Sequence, residues 1–153
     1  MKGKTYKHFL FEVQLNSKEN KIGTLSVDDI ASEIEIAIPK KFGGIGLHWS
    51  AEHLFLSAIS SSYFTTYLAY AKKIKLNITK YESNIIGQIE VVKRRYMFTL
   101  INLYPTIYIA NESLKENAIL AIKKTNKFCL ISNSINAEIY YHPKILIENG
   151  NTF

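Results

Sequence analysis

The chain has 153 residues, 47% of them apolar and 21% charged, with a formal net charge of +6. That balance excludes disordered and collagen-like classes, and the single cysteine, Cys129, excludes an intrachain disulfide scaffold. A length of this order predicts one domain, residues 1–153, burying roughly 70% of its unfolded surface.

Residues 1–7 are basic and polar with no apolar run behind them, so no signal peptide is expected. Residues 6–15 alternate: Phe9, Phe11, Val13 and Leu15 share one face, and His8, Glu12 and Gln14 take the other. The period of two predicts a half-buried strand. Residues 16–20 are polar and read as a turn, residues 22–27 as a second strand, and residues 32–38, with Ile34, Ile36 and Ile38 against Glu33 and Glu35, as a third. Three strands joined by short turns predict an antiparallel meander. Residues 39–46 form a breaker-rich loop holding Gly43, Gly44 and Gly46, without the spacing of a dinucleotide-binding turn.

Ser50 is placed to cap a helix running to about Lys73, with Glu52 in the first turn and Lys72 and Lys73 in the last. Leu54, Ala58, Thr65 and Leu68 line one side and Phe55, Ile59, Tyr63 and Tyr70 another, so burial on most sides is expected. Residues 54–71 carry no charge, but Ser57, Ser60, Ser61, Ser62, Thr65 and Thr66 argue for a helix buried in protein rather than a membrane span. A cytoplasmic protein without membrane association is the expectation. Residues 76–92 read as a long extended segment interrupted near 81–84, Lys93-Arg94-Arg95 as a hairpin tip, and residues 96–109 as a long strand that Pro105 places at an edge or a bend. Ser113 and Glu116 have capping-box spacing before a second helix, whose apolar stripe is Leu114, Ala118, Ala121 and Ile122. Lys123, Lys124 and Lys127 load its end, and residues 136–141 give a final strand.

The predicted order is β-β-β-α-β-β-α-β, an α+β class with antiparallel sheets around a buried central helix. This order resembles the fold of the OsmC/Ohr family of thiol-dependent hydroperoxide reductases, and the local sequence agrees with it. The run from Ser50 through Glu52 to Ser60-Ser61-Ser62 resembles the family's helix entry, which leads to its reactive cysteine. Phe128-Cys129-Leu130-Ile131 and the residues after it resemble the segment carrying the partner cysteine. Residues 6–15 resemble the family's first strand, and residues 103–109 its late strand with a central proline. The likeness covers nearly the whole chain.

The resemblance implies a single OsmC-like domain in an intertwined homodimer. In its chemistry, a thiolate reduces a hydroperoxide and becomes a sulfenic acid, and a second cysteine condenses with it to a disulfide. It places the reactive position at Ser62, the resolving position at Cys129 and the family's glutamate at Glu52. The arginine expected near the first turn is absent, and residues 16–22 offer only Lys18 and Lys21, point charges without a planar fork. A serine cannot follow sulfur redox chemistry. Trp49, His53, Phe55 and Tyr63 are candidate pocket residues. On one straight helix, Glu52 and Ser62 would stand roughly 15 Å apart, so a pocket holding both calls for a second chain or a bend.

Other readings carry less. A serine-nucleophile hydrolase would need a base, and His48 and His53 form no recognisable triad spacing with Ser62. Cys129 reads as a vestigial resolving residue or as a small buried thiol, and the second is favoured because free cysteine is usually buried. His8, His48, His53 and His142 lack ligand spacing, so neither a metal nor another cofactor is expected. The basic residues are dispersed apart from Lys93-Arg94-Arg95, so nucleic-acid binding is not expected. Three functions stay open. The first is a non-catalytic dimer that binds a small apolar or peroxide ligand. The second is an organic hydroperoxide reductase in which Ser62 stands for a native cysteine or Cys129 does the chemistry. The third is a structural protein that binds partners through its basic surface.

Overall fold

The computed structural model describes residues 7–148. The chain divides into two compact units, residues 1–54 and residues 55–153. Among the described residues no helix is long and apolar enough to cross a membrane.

The first unit is the expected meander: β1 (Gln14–Ser17), β2 (Gly23–Val27) and β3 (Ile30–Ile36) pair antiparallel in that order. The first strand is much shorter than its alternating pattern predicts. Residues 7–13 form no strand, and Phe9, Phe11 and Val13 are exposed; Tyr6 lies outside the described residues. The register explains this, because Gln14 pairs with Ser26 and β2 ends one residue later, before the Asp28-Asp29 turn. Alternation makes a segment competent to pair, but residues 7–13 have no neighbouring strand among the described residues. The third strand likewise ends at Ile36, and Ala37 instead donates its N–H to the Trp49 carbonyl at 2.8 Å. The following loop turns through Gly43 and Gly46, both at positive φ.

Helix α1 (Ala51–Lys73) begins where its cap predicts. The Ser50 carbonyl accepts from Leu54 N–H at 3.0 Å, and its hydroxyl accepts from His53 N–H at 3.4 Å. The helix ends where Lys75 takes a left-handed conformation and Leu76 N–H returns to the Ala71 carbonyl. Burial is narrower than its composition suggests. Ile59, Tyr63, Tyr67 and Ala71, spaced by four, are buried, whereas Ala58, Ser61, Phe64, Thr65 and Ala69 are exposed in the single chain.

In the second unit, β4 (Lys80–Val92) and β5 (Arg95–Ile109) form a long hairpin. Lys93 and Arg94 supply its two-residue turn, both at positive φ. The expected break at residues 81–84 does not occur, since all four stay in register with β5. Nor is β5 an edge: β4 flanks one side, and β6 (Glu138–Tyr141) and β7 (Lys144–Ile147) run parallel to it on the other. Pro105 is tolerated because β6 pairs as far as Leu103 and β7 begins at Thr106, leaving a gap at the proline. The sheet is therefore mixed, and β7 is a strand beyond the predicted set.

Helix α2 (Lys115–Phe128) follows a 3-10 turn, Glu112–Leu114. The predicted capping box does not form; the Ser113 hydroxyl bonds the Asn111 side chain instead. Its stripe is as expected, with Ala118, Ala121 and Ile122 buried against Tyr67, Ala71, Leu76, Ile78, Ile107 and Ile109.

Candidate functional site

Two candidate positions far apart in sequence come together in the second unit. Ser62 stands midway along α1, and Cys129 is the first residue past α2, fixed by its N–H bond to the Thr125 carbonyl at 2.9 Å. The Cys129 thiol donates to Ser62 Oγ at 3.3 Å, and the Ile131 N–H donates to the same oxygen at 3.4 Å. Position 62 therefore receives two donors, an arrangement that favours a negatively charged atom there over a neutral one.

The surroundings are apolar. Cys129, Tyr63 and Leu103 are fully buried, with Tyr81, Ile85 and Tyr141 packed around them. The Tyr63 ring stacks on Tyr141 with centroids 5.2 Å apart, and its hydroxyl donates to Asn126 Oδ1 at 2.7 Å. Burial, chiefly, pushes the phenols of Tyr63, Tyr81 and Tyr141 above their ordinary range, so all three are neutral at physiological pH. The thiol thus lies among a hydroxyl, neutral phenols and aliphatic groups. Tyr81, Ile85, Asn126 and Tyr141 were not among the predicted site residues. Spacing in the sequence carries no trace of them, because only the hairpin and the parallel strand bring them to α1.

Glu52 lies in the first unit. There a cavity of about 420 Å³ is lined by apolar groups from Leu15, Ile22, Ile36, Ile38 and Phe42, with Lys18, Lys21 and Glu52 as its ionisable members. Glu52 Oε2 is buried with no hydrogen-bond partner among the described residues. Lys18 is held elsewhere, 3.0 Å from Glu35. Its hydrogen bond and charge hold the Glu35 carboxyl below the usual range. Among the described residues neither Lys18 nor Lys21 hydrogen-bonds or pairs with Glu52.

The predicted pocket residues occupy several environments. Trp49 is half exposed and meets the His53 ring edge-on at 6.3 Å between centroids. His53 Nδ1 is 3.1 Å from Ser50 Oγ, and His48 pairs with Glu35 at 3.4 Å. Both imidazoles are thus engaged within the first unit, by Ser50 and by Glu35. Phe55 stacks on Phe98 with centroids 4.7 Å apart, and Tyr63 belongs to the Cys129 cluster. Among the described residues no cluster of three or more His, Cys, Asp or Glu side chains has the geometry to hold a metal ion.

Comparison with known proteins gives the same fold. A family profile described as OsmC-like protein matches residues 43–141. An OsmC-like protein from Mycoplasma pneumoniae superposes with a TM-score of 0.74 at 16% identity, covering 92% of this chain and 99% of that one. An organic hydroperoxide resistance protein from Elizabethkingia anophelis, with thiocyanate bound, gives 0.70 at 18% identity over 93% of this chain and 100% of that one. A candidate organic hydroperoxide resistance protein from Vibrio cholerae, with captopril bound in one of its active sites, gives 0.67 at 18% identity over 97% and 99%. No curated protein sequence matches the chain.

Proposed function

This chain belongs to the OsmC-like protein family, and on that premise we propose that it is a homodimeric small-ligand-binding relative of the hydroperoxide reductases, without peroxidase activity of its own. One observation carries the reading: at the position facing buried Cys129 stands a hydroxyl, Ser62 Oγ, 3.3 Å from the thiol. An alkoxide is out of reach at neutral pH, and sulfenate formation requires sulfur. Cys129 is fully buried. A peroxide has no direct approach to it, and the chain has no second cysteine to resolve a sulfenic acid.

The Cys129 S–H and Ile131 N–H converge on Ser62 Oγ, and Tyr63, Tyr81 and Tyr141 pack in the same cluster as Cys129, so a small polar atom at position 62 is held by two donors beside neutral aromatic rings. Related proteins with thiocyanate and with captopril bound support a site that takes small molecules. Helix geometry supports the homodimer: Glu52 and Ser62 lie on one uninterrupted helix, roughly 15 Å apart along its axis, so a pocket using both would take the glutamate from a second chain.

The test is dithiol-dependent consumption of cumene hydroperoxide by the native protein and by Ser62→Cys. The native protein is expected to be inactive and the variant active: its thiolate takes the terminal peroxide oxygen, releases cumyl alcohol and becomes a sulfenic acid. Cys129 then displaces water to form the disulfide that the dithiol reduces. Turnover by the native protein would overturn the reading and leave Cys129 as the reactive group.

A further inference from the structure

Six lysines lie at two helix ends: Lys72, Lys73 and Lys75 at the end of α1, and Lys123, Lys124 and Lys127 at the end of α2. Lys73 and Lys124 line one crevice. Helix dipoles favour cations in a last turn, which accounts for Lys72, Lys73 and Lys127. They do not account for Lys123 and Lys124, which stand a turn earlier. Lys123 and Lys127 are four apart and Lys124 and Lys127 three apart, spacings at which like charges repel on a helix. None of the six makes an ion pair among the described residues.

This crevice, of about 270 Å³, opens between the helix ends, just below the roughly 300–1,000 Å³ of drug-sized ligand pockets and so suited only to a small ligand. Tyr70, Lys73 and Ile74 line it from α1 and the turn after it, and Leu120, Lys124 and Phe128 from α2. The Tyr70 and Phe128 rings stack with centroids 5.8 Å apart, and Lys127 Nζ lies 5.4 Å from the Phe128 ring centroid. Leu120 and Phe128 remain 42% and 47% exposed, so apolar surface and uncompensated positive charge share one concave site.

We propose that this crevice binds a small amphiphilic anion. Its apolar body lies against Tyr70, Ile74, Leu120 and Phe128, and its anionic head sits between Lys73 and Lys124. An inorganic anion would leave the aromatic wall uncovered, and a neutral apolar molecule would leave the lysine repulsion in place. A peptide helix exceeds the volume. The site is separate from the Ser62–Cys129 pair and does not depend on the function proposed above.

Isothermal titration of the full chain with decanoate, below its micelle concentration and at low salt, tests the proposal. One site per chain is expected, weakening as salt rises, with decanol and decyltrimethylammonium at least tenfold weaker. The double variant Lys73→Glu/Lys124→Glu should lose at least tenfold in decanoate affinity; if it fails to fold, Lys124→Gln should lose severalfold. Amide shift changes should fall at residues 70–75 and 120–128. Equal binding of decyltrimethylammonium, unchanged affinity in the variants, or shift changes confined to residues 15–52 would overturn the proposal. Binding to anionic phosphatidylglycerol vesicles without any binding of free decanoate would also overturn it, in favour of a lipid surface.

Discussion

Replacing Ser62 by cysteine tests the central geometry without reference to activity. The Ser62 Oγ to Cys129 Sγ distance is 3.3 Å, and a disulfide needs about 2.05 Å between sulfurs, so the two atoms must close by roughly 1.3 Å. A side-chain rotation is on that scale, and the sulfur at position 62 reaches farther from Cα than the oxygen does. The bridge closes a loop of about 68 residues, for which the chain-entropy model gives roughly 4.4 kcal/mol at 25 °C as a ceiling before native-state strain is subtracted. For a domain of this size each kcal/mol moves Tm by roughly 2–4 °C, so the ceiling is about 9–18 °C. Oxidised Ser62→Cys should melt several degrees above its dithiothreitol-reduced form and show no free thiol under denaturing conditions, against two after reduction. The native protein, with Cys129 alone, should show no dithiol-dependent change in Tm. Two thiols that survive oxidation, or a bridge that forms only between chains, would refute the placement of position 62 against Cys129.

Two further outcomes follow from the packing of the second unit. Tyr63, Tyr67 and Tyr81 have phenols raised, first by burial, above their unfolded value of about 10. The neutral forms that the fold favours contribute stability in full below pH ~10, and that contribution is lost as the unfolded chain ionises above it. Absorbance titration should therefore show at least three of the ten tyrosines ionising only together with alkaline unfolding; smooth titration of all ten in a folded protein would contradict the burial. Gly87→Ala would place a Cβ 2.7 Å from Phe98 Cε1 on the hairpin and 2.8 Å from Leu56 Cδ2 on α1. It should destabilise by roughly 1–3 kcal/mol in urea denaturation, and an unchanged midpoint would mean that the two side chains yield freely.

What the sequence reveals, and what it conceals, divides along the range of the interactions. Both helices are legible because their signals are local: Ser50 caps α1, and the apolar stripe of α2 recurs at helical spacing. The length of the first strand is not local. Residues 7–13 alternate as well as any strand, yet the extent of β2 decides how many of them pair within the chain. Pro105 reads as an edge residue, and only the gap between β6 and β7 shows how a central strand admits it. The even apolar coverage of α1 likewise hides which stripe faces the sheet. The β7 run of four residues is too short to stand out after Pro143.

The meeting of positions 62 and 129 belongs to the same non-local class. Family resemblance aligns Ser62 and Cys129 with a reacting pair, but no spacing rule brings residues 67 apart in sequence together. The fold does so by packing α1 against β4 and β5 and ending α2 beside it. That shell differs in character from the residue it surrounds. A thiol and an amide both donate to the side-chain atom at position 62, which is the environment that would lower the pKa of a sulfur placed there. Serine accepts the same two bonds but cannot ionise at neutral pH. Glu52, the residue the resemblance aligns with the family's glutamate, has its inner oxygen buried and unpartnered among the described residues. If Ser62 and Glu52 hold the places the resemblance gives them, a cysteine at position 62 would supply a bond-forming atom without an arginine fork to accompany it. Ser62→Cys should be a slow peroxidase, and adding Lys21→Arg should raise its rate if that lysine occupies the position of the missing arginine. A variant whose rate is indifferent to residue 21 would place the missing cation elsewhere.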